Sequence, residues 1–450
     1  MDMDTTQYIA AIEIGSSKTV GAVAEKRADG QIYLLGIESE PTLNFVRYGC
    51  IKNVESTKAS INRILLKLGN LIDGEIRSVY VGVSGRSLRS MPTEAQRSLS
   101  TEQTITQALI DNIKKDATRN TLTNYETIDV IPRTYYIDKA EIRNPVGYYG
   151  TDIVACLNLI VANQSILLNL KRVFNQQVQV KGLITTPVAV ADAVLTAEER
   201  SLGCLLVDMG AETTTVSIYQ NDALVYLITI PLGGRNLTRD ITDLNIREEN
   251  AEKIKRNLAN PLKPTADPVT IDNVKSSDAA NYILARTGEI IANITAQVSN
   301  AGLSLNDIHH IVLVGGGALL KGIDEKIKEA VNFSSNNINV RIAKSMPSQL
   351  STYTAVPNPV ENMGVLSLII EAAKRIGDDS CVIRRTYQPA PEVNNAPDFT
   401  INEPATTTNN NTQEQERGNK KSLFGHLGRL KDKIIGIIDE SNKDDENDSF

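Results

Sequence analysis

The chain has 450 residues, enough for two or more domains with substantial cores, and 41% of them are apolar. No apolar run approaches the ~20 residues that span a bilayer, and a net charge of −7 argues against a general nucleic-acid binder. Cys50, Cys156, Cys204 and Cys381 are too widely spaced for a metal or disulfide framework, which predicts free thiols in a reducing cytoplasm. The acidic start Met1-Asp2-Met3-Asp4 leads straight into a strand, so no secretory signal is expected.

Tyr8 to Ile14 reads as a strand that breaks at Gly15-Ser16-Ser17-Lys18, and Lys18–Ala28 and Gln31–Ser39 complete a β-meander. Apolar residues at helical spacing (Ile61, Ile64, Leu65, Leu68, Leu71) predict a helix over Glu55–Leu71, and Val79–Val83 is a further strand. From Ser84 to Ser165 the texture changes. A polar stretch over Arg97–Thr106, a helix over Ile105–Ala117 and strands at Ile128–Ile131 and Val154–Val161 predict an inserted α+β subdomain. Ser165–Gln176 is amphipathic, and Thr186–Leu195 is a small-residue helix, either a close inter-domain contact or a plain core helix.

The second half repeats the plan of the first. Cys204–Val207 runs into Asp208-Met209-Gly210-Ala211-Glu212-Thr213-Thr214, and strands follow at Thr214–Gln220 and Ala223–Ile230. Gly233-Gly234 precedes a helix over Leu237–Thr242, and Ala251–Leu258 and Ala279–Ala301 read as helices. His310–Val314 is a strand entering Gly315-Gly316-Gly317-Ala318-Leu319, with a helix start expected at Ala318-Leu319-Leu320. Ile338–Ile342 is a short strand, and a closing helix covers Asn362–Ile376. Arg384–Asn419 is rich in Pro, Asn, Thr and Glu and predicts a disordered tether.

Over 420–440 the apolar residues return at helical spacing: Leu423, Leu427, Leu430, Ile434 and Ile437/Ile438, with Phe424 and Ile435 beside them. Lys421, Arg429, Lys431 and Lys433 decorate the rest, and an acidic tip occupies 441–450. The run from Leu423 to Ile438 would be only ~24 Å long as a helix, too short and too charged to cross a bilayer but suited to lying in an anionic membrane surface. Packing on a globular partner is the alternative reading.

Three glycine turns after strands, with related halves, resemble the actin, heat-shock chaperone and sugar-kinase superfamily, and within it the bacterial cell-division FtsA family. The resemblance rests on Ile12-Glu13-Ile14-Gly15-Ser16-Ser17-Lys18, on Val207-Asp208-Met209-Gly210-Ala211-Glu212-Thr213-Thr214 and on Leu313-Val314-Gly315-Gly316-Gly317-Ala318. The run Pro231-Leu232-Gly233-Gly234-Arg235-Asn236-Leu237-Thr238-Arg239-Asp240-Ile241, followed by Ala251-Glu252-Lys253-Ile254-Lys255, adds to it. The implied fold is α/β and actin-like: subdomain 1A at 1–83 and 166–200, an FtsA-type insert (1C) at 84–165, 2A at 201–235 and 305–357, 2B at 236–304, and a return helix at 358–383. The tether and the amphipathic helix then follow.

The chemistry of these positions suits ATP with Mg²⁺. Backbone N–H groups of Gly15, Ser16, Ser17 and of Gly210, Ala211, Glu212 and Thr213 can cradle phosphates, aided by the hydroxyls of Ser16, Ser17, Thr213 and Thr214. Lys18 either adds charge or points to solvent from its strand. Asp208 can hold Mg²⁺ through water. Glu252 and Lys255 share a helix face; the resemblance places them at the ribose and adenine, and a surface ion pair is the other reading. Gly233, Gly234, Gly315, Gly316, Gly317 and Ala318 are expected around the adenosine. Glu13 stands where the family usually has aspartate, and an extra methylene moves a carboxylate by ~1.5 Å, so at most slow ATP hydrolysis is expected from Asp208 and Glu13.

The resemblance therefore implies an adaptor that polymerises with copies of itself on the cytoplasmic face of the inner membrane, at the division septum. It implies that 2B grips the C-terminal peptide of FtsZ and that the insert meets downstream division proteins or the next protomer. The enzyme alternative, a sugar or acetate kinase of the same superfamily, needs a substrate pocket and catalytic base that the sequence does not reveal. No nucleophile triad is readable, and His309-His310, neighbours on a strand, point to opposite faces.

Overall fold

The computed structural model describes residues 6–384 apart from 175–177, 259–260, 263–270, 333–336, 354 and 378. The tether beyond Arg384, the amphipathic segment 420–440 and the acidic tip lie outside the described residues.

The first lobe opens with the expected meander, β1 (Gln7–Ile14), β2 (Lys18–Lys26) and β3 (Ile32–Pro41). β1 is almost wholly apolar because it lies inside the sheet, flanked antiparallel by β2 and parallel by a later strand. After the short pair β4 (Val46–Arg47) and β5 (Cys50–Ile51), Asn53 caps helix α1 (Val54–Leu71) by accepting the N–H of Ser56, and the Ile61, Ile64, Leu65, Leu68 stripe is buried. β6 (Gly74–Ile76) and β7 (Ser78–Val83) follow.

The insert comprises β8 (Arg89–Thr104), α2 (Gln107–Ala117), β9 (Tyr125–Ile137), β10 (Ala140–Ile142) and β11 (Tyr149–Asn163). It has its own core, in which Ile110 and Ile113 of α2 pack with Tyr135, Ile153, Leu157 and Leu159. The stretch Arg97–Thr106 is largely the second half of β8 rather than irregular chain. Met91, Thr93, Ala95, Arg97 and Leu99 alternate with more exposed neighbours, a period-two pattern that polar residues disguise. The chain then returns through α3 (Gln164–Val173), β12 (Gln179–Thr185), α4 (Thr186–Val194) and α5 (Ala197–Leu202).

The second lobe repeats the meander as β13 (Cys204–Met209), β14 (Thr214–Gln220) and β15 (Ala223–Ile230). Helices α6 (Gly234–Ile241), α7 (Glu248–Asn257) and α8 (Ser276–Asn300) follow, then β16 (His310–Val314). The helix start expected at Ala318–Leu320 is a single 3₁₀ turn, Gly316–Leu319, and α9 (Ile323–Asn332) begins four residues after that turn ends. β17 (Asn339–Ile342), β18 (Leu350–Thr352), α10 (Met363–Arg375) and β19 (Val382–Arg384) complete the described chain. Helix α10 is buried nearly all round, because it packs between α4 and the central strands β1 and β2.

Two sheets result. The first-lobe sheet has the order β12-β7-β1-β2-β3-β18. The second runs β10-β9-β11-β8-β15-β14-β13-β16-β17, so the insert's strands continue the second lobe's sheet through one bridge, Arg89 to Ile228. Around that bridge Leu88 O accepts from Thr229 N (3.1 Å), Ser90 Oγ accepts from Leu227 N (2.8 Å), and the fully buried Asn158 donates to Leu224 O (2.6 Å). Removing Asn158 Nδ2 leaves the Leu224 carbonyl without this donor, so Asn158→Ala is expected to cost about 1–2 kcal/mol. Thermal melting together with faster proteolysis within 89–163 would register the loss.

Candidate functional site

The two meanders end in the same tight turn. Gly15 N donates to Lys18 O (3.0 Å) beyond the last β1–β2 pair, Ile14 with Thr19. Gly210 N donates to Thr213 O (2.8 Å) beyond the last β13–β14 pair, Met209 with Thr214. The turns are buttressed differently. Thr42 braces the first, its hydroxyl donating to Gly15 O (2.6 Å) and its N–H to Ser17 O (3.0 Å). The start of α6 braces the second, Gly234 N donating to Gly210 O (3.0 Å) and Arg235 N to Ala211 O (2.6 Å).

Glu13 and Asp208 occupy equivalent places, two residues before each turn, and the fold brings them within electrostatic reach of each other. Burial, then the charge of Asp208, pushes the Glu13 carboxyl up to about 7, against the pull of Lys18 and of the Val365 N–H. Burial raises Asp208 to about 6. The extra methylene of Glu13 carries its carboxylate to the first turn of α10, where it accepts from Val365 N and packs where a side chain on Gly364 would stand. Asp208 lies against Gly315 in the same way, and Gly315 holds φ +84°.

The other expected residues divide. Ser17 is exposed and Thr213 half-buried, while Ser16 Oγ accepts from Gly49 N (2.8 Å) and the buried Thr214 hydroxyl donates to Leu232 O (2.8 Å). Lys18 turns inward: its Nζ lies 3.1 Å from Glu361 Oε1 and donates to Asn362 Oδ1 (2.9 Å). The Glu212 side chain is 1% exposed and joins the lobes, accepting from Tyr48 N (2.8 Å), Arg239 (2.9 Å) and Arg235 (3.3 Å), with Arg47 at 3.4 Å.

On the second lobe, Gly233 packs against Gly210 and Ala211. Lys255 Nζ donates to Gly234 O (2.8 Å) and pairs with Glu252 (2.7 Å), so these two form an ion pair turned into the α6 start rather than to open solvent. Burial opposes the ionisation of Glu252, yet Lys255, Thr238 and Arg256 outweigh it and hold its carboxyl at about 2. A side chain at Gly234 would come within 3.9 Å of the Gly317 Cα, which joins this corner to the third turn; Ala318 is fully buried behind it. Gly316 is open, with only Glu361 Cγ near the place of a side chain (3.7 Å).

Glu361, Asn362 and Gly364 are members of this neighbourhood that the sequence motifs do not mark, and Arg239 enters it from within the run Pro231–Ile241. Pro357-Asn358-Pro359 just before α10 is the one local turn signal there. The donor set fits a hydrated divalent cation bound to an anionic ligand: two desolvated carboxylates repel each other, and a cation would relieve that repulsion. Among the described residues no group of three or more His, Cys, Asp or Glu is placed to hold a metal ion. No described helix is long and apolar enough to cross a membrane.

A family model for cell division protein FtsA matches residues 205–361, and one for the SHS2 domain inserted in FtsA matches 85–161. The cell division protein FtsA of Porphyromonas gingivalis is 29% identical over 385 residues, covering 82% of this chain and 79% of the relative. That of Bacillus subtilis is 26% identical over 357 residues, covering 75% and 79%. Among solved structures, a chain of the PilM–PilN type IV pilus biogenesis complex superposes with a TM-score of 0.58 at 17% identity, over 82% of this chain and 98% of that one. The fold is the actin-like ATPase fold with the FtsA-type insert.

The raised Glu13 carboxyl sets a pH dependence. Its folded value, about 7, exceeds the ordinary 4.5, so the folded protein holds more protons and stability falls as pH rises from 4.5 through 7. Glu13→Gln removes that loss. Its stability advantage over the parent is expected to grow by about 2 kcal/mol between pH 5 and pH 8, measured by urea denaturation without nucleotide or Mg²⁺.

Proposed function

This chain belongs to the FtsA family of cell-division proteins, and from that premise we propose that it is an ATP-binding adaptor that polymerises at the inner membrane, anchors the FtsZ ring and recruits later division proteins. The observation that carries the nucleotide part is the meeting of both lobes' turns at one carboxylate pair, with the third glycine turn closing on Asp208 and Met209. In this reading the turns at Gly15–Lys18 and Gly210–Thr213 offer backbone N–H groups to the phosphates. Asp208 would hold Mg²⁺ through water, with Glu13 beside it, and the corner between Gly234, Lys255 and Gly316 would take the adenosine. Mg²⁺ would supply charge neutralisation at the phosphates. Glu13, turned onto the α10 start, is poorly placed to orient water, so turnover is slow.

The subdomains follow the family plan: 2B, about 236–304, takes the FtsZ C-terminal peptide, and the insert at 84–165 meets downstream division proteins or the next protomer. The segment Leu423–Ile438 is the membrane anchor. Partial burial of its eight large apolar side chains gives ~8 kcal/mol gross, but ordering its backbone costs ~1 kcal/mol per residue. One helix therefore binds weakly, and a polymer presenting many binds strongly because later contacts are intramolecular.

Asp208→Ala and Gly316→Val are each expected to weaken MgATP binding at least tenfold, roughly 1.4 kcal/mol, by isothermal titration. At Gly316 a Cβ would meet only Glu361 Cγ, at an ordinary 3.7 Å, and φ is not positive, so valine there probes the site rather than the fold. Unchanged affinity in Gly316→Val would remove the adenosine placement. Truncation after Gly418, or Leu427→Glu, is expected to release the protein from anionic vesicles in sedimentation while ATP binding stays intact. If the truncated protein still co-sediments as the full chain does, the anchor lies elsewhere.

A further inference from the structure

The segment from Pro357 to Gly364 returns the chain to the first lobe and touches each part of the cleft on its way. Val360 O accepts from Gly315 N (3.0 Å), Glu361 lies beside Gly316, and Gly364 packs on the Glu13 carboxylate. Its Glu361 and Asn362 both hold the Lys18 ammonium, which also pulls on the Glu13 carboxyl.

These two partners differ in what their loss would cost. Asn362 is 7% exposed, and its amide is fixed by donating to Pro357 O (2.9 Å), which aims Oδ1 at Lys18. Taking Lys18 away from that buried oxygen would leave it without a donor. Glu361, like Lys18, has a side chain 25% exposed, so water can replace the ammonium at its carboxylate. Lysine is a point charge on a flexible stem with three donors, able to keep one partner and exchange another. Lys18 also closes the Gly15 turn through its own carbonyl, so its ammonium can swing without moving the turn.

We propose that Glu361 is a positioning residue of the nucleotide site: it holds the Lys18 ammonium, competes with the nucleotide phosphates for it, and releases it on binding while Asn362 acts as the pivot. The proposal rests on the ATP reading above and adds a set-point to it. Because Glu361 belongs to the strap between the lobes, occupancy of the phosphate turns and the hold on that strap become one equilibrium.

A double-mutant cycle tests this by titrating MgATP into the full-length parent, Glu361→Gln, Lys18→Met and the double variant. Glu361→Gln is expected to tighten binding roughly fivefold in the parent and to change it less than twofold when Lys18 is already methionine. An equal gain in both backgrounds means a simple long-range charge and overturns the proposal, as does weaker or unchanged binding in Glu361→Gln. A second reading needs no nucleotide: acetylation of Lys18 by an N-hydroxysuccinimide ester, followed by peptide mass spectrometry, should be faster in Glu361→Gln, and an unchanged rate overturns the proposal. A parent protein that binds no ATP overturns the nucleotide reading and this proposal with it, whereas binding that ignores Glu361 overturns this proposal alone.

Discussion

The floor of the cleft is held by two carboxylates that repel each other. Glu13 and Asp208 stand at matching places in two hairpins of the same design, and burial raises both carboxyls. Desolvation of like charges is unfavourable, and the surrounding structure is arranged to limit the cost. Lys18 lowers the Glu13 carboxyl, and the start of α10 gives it the Val365 N–H. That contact requires a glycine at 364, because any side chain would occupy the carboxylate's place. On the other lobe, Gly315 takes up a left-handed conformation against Asp208 and hangs its N–H on the returning segment at Val360. The position of α10, the third glycine turn and the strap between them thus all answer to one electrostatic problem.

The lobes are also tied above the floor by a carboxylate of the opposite character. Glu212 is wholly buried, yet it faces three arginines and a backbone N–H, so its charge is fully matched. The loop that supplies Arg47 and Tyr48 reaches back to the first turn through Gly49 N and Ser16 Oγ, and forward to the insert through Tyr48 O and Arg86 N (3.0 Å). A contiguous run of hydrogen bonds therefore connects both turns to the entry of β8, and β8 carries the insert onto the second lobe's sheet.

What was legible in the sequence was local. A strand-length apolar run meeting a glycine is visible without an alignment, and the repeated meander and the helices at 54–71, 276–300 and 363–375 follow from periodicity. The long strand β8 was hidden because its inward residues include Thr93 and Arg97, which a hydrophobicity pattern discounts. Side-chain direction within the motifs was not legible either. Glu212 and Thr214 sit in the second turn by sequence, but tertiary contacts draw one to the lobe interface and the other to Leu232. Lys18 lies more than 340 residues before Glu361 and Asn362, so nothing local could announce their pairing.

The cleft is built from a repeat but is not symmetric, and the asymmetry comes from what buttresses each turn. Thr42, at the end of the first meander, holds the Gly15 turn with a side chain and a backbone N–H from extended chain. The Gly210 turn is held by the first N–H groups of a helix, which brings Gly233, Gly234 and the Lys255–Glu252 pair alongside it. Only the second lobe therefore continues from its turn into a corner lined by glycine backbone and a matched ion pair. Gly317 of the third turn borders that same corner, its Cα 3.9 Å from the place of a side chain on Gly234. The asymmetry therefore lies in the corner beside the Gly210 turn, which has no counterpart at the turn that Thr42 braces.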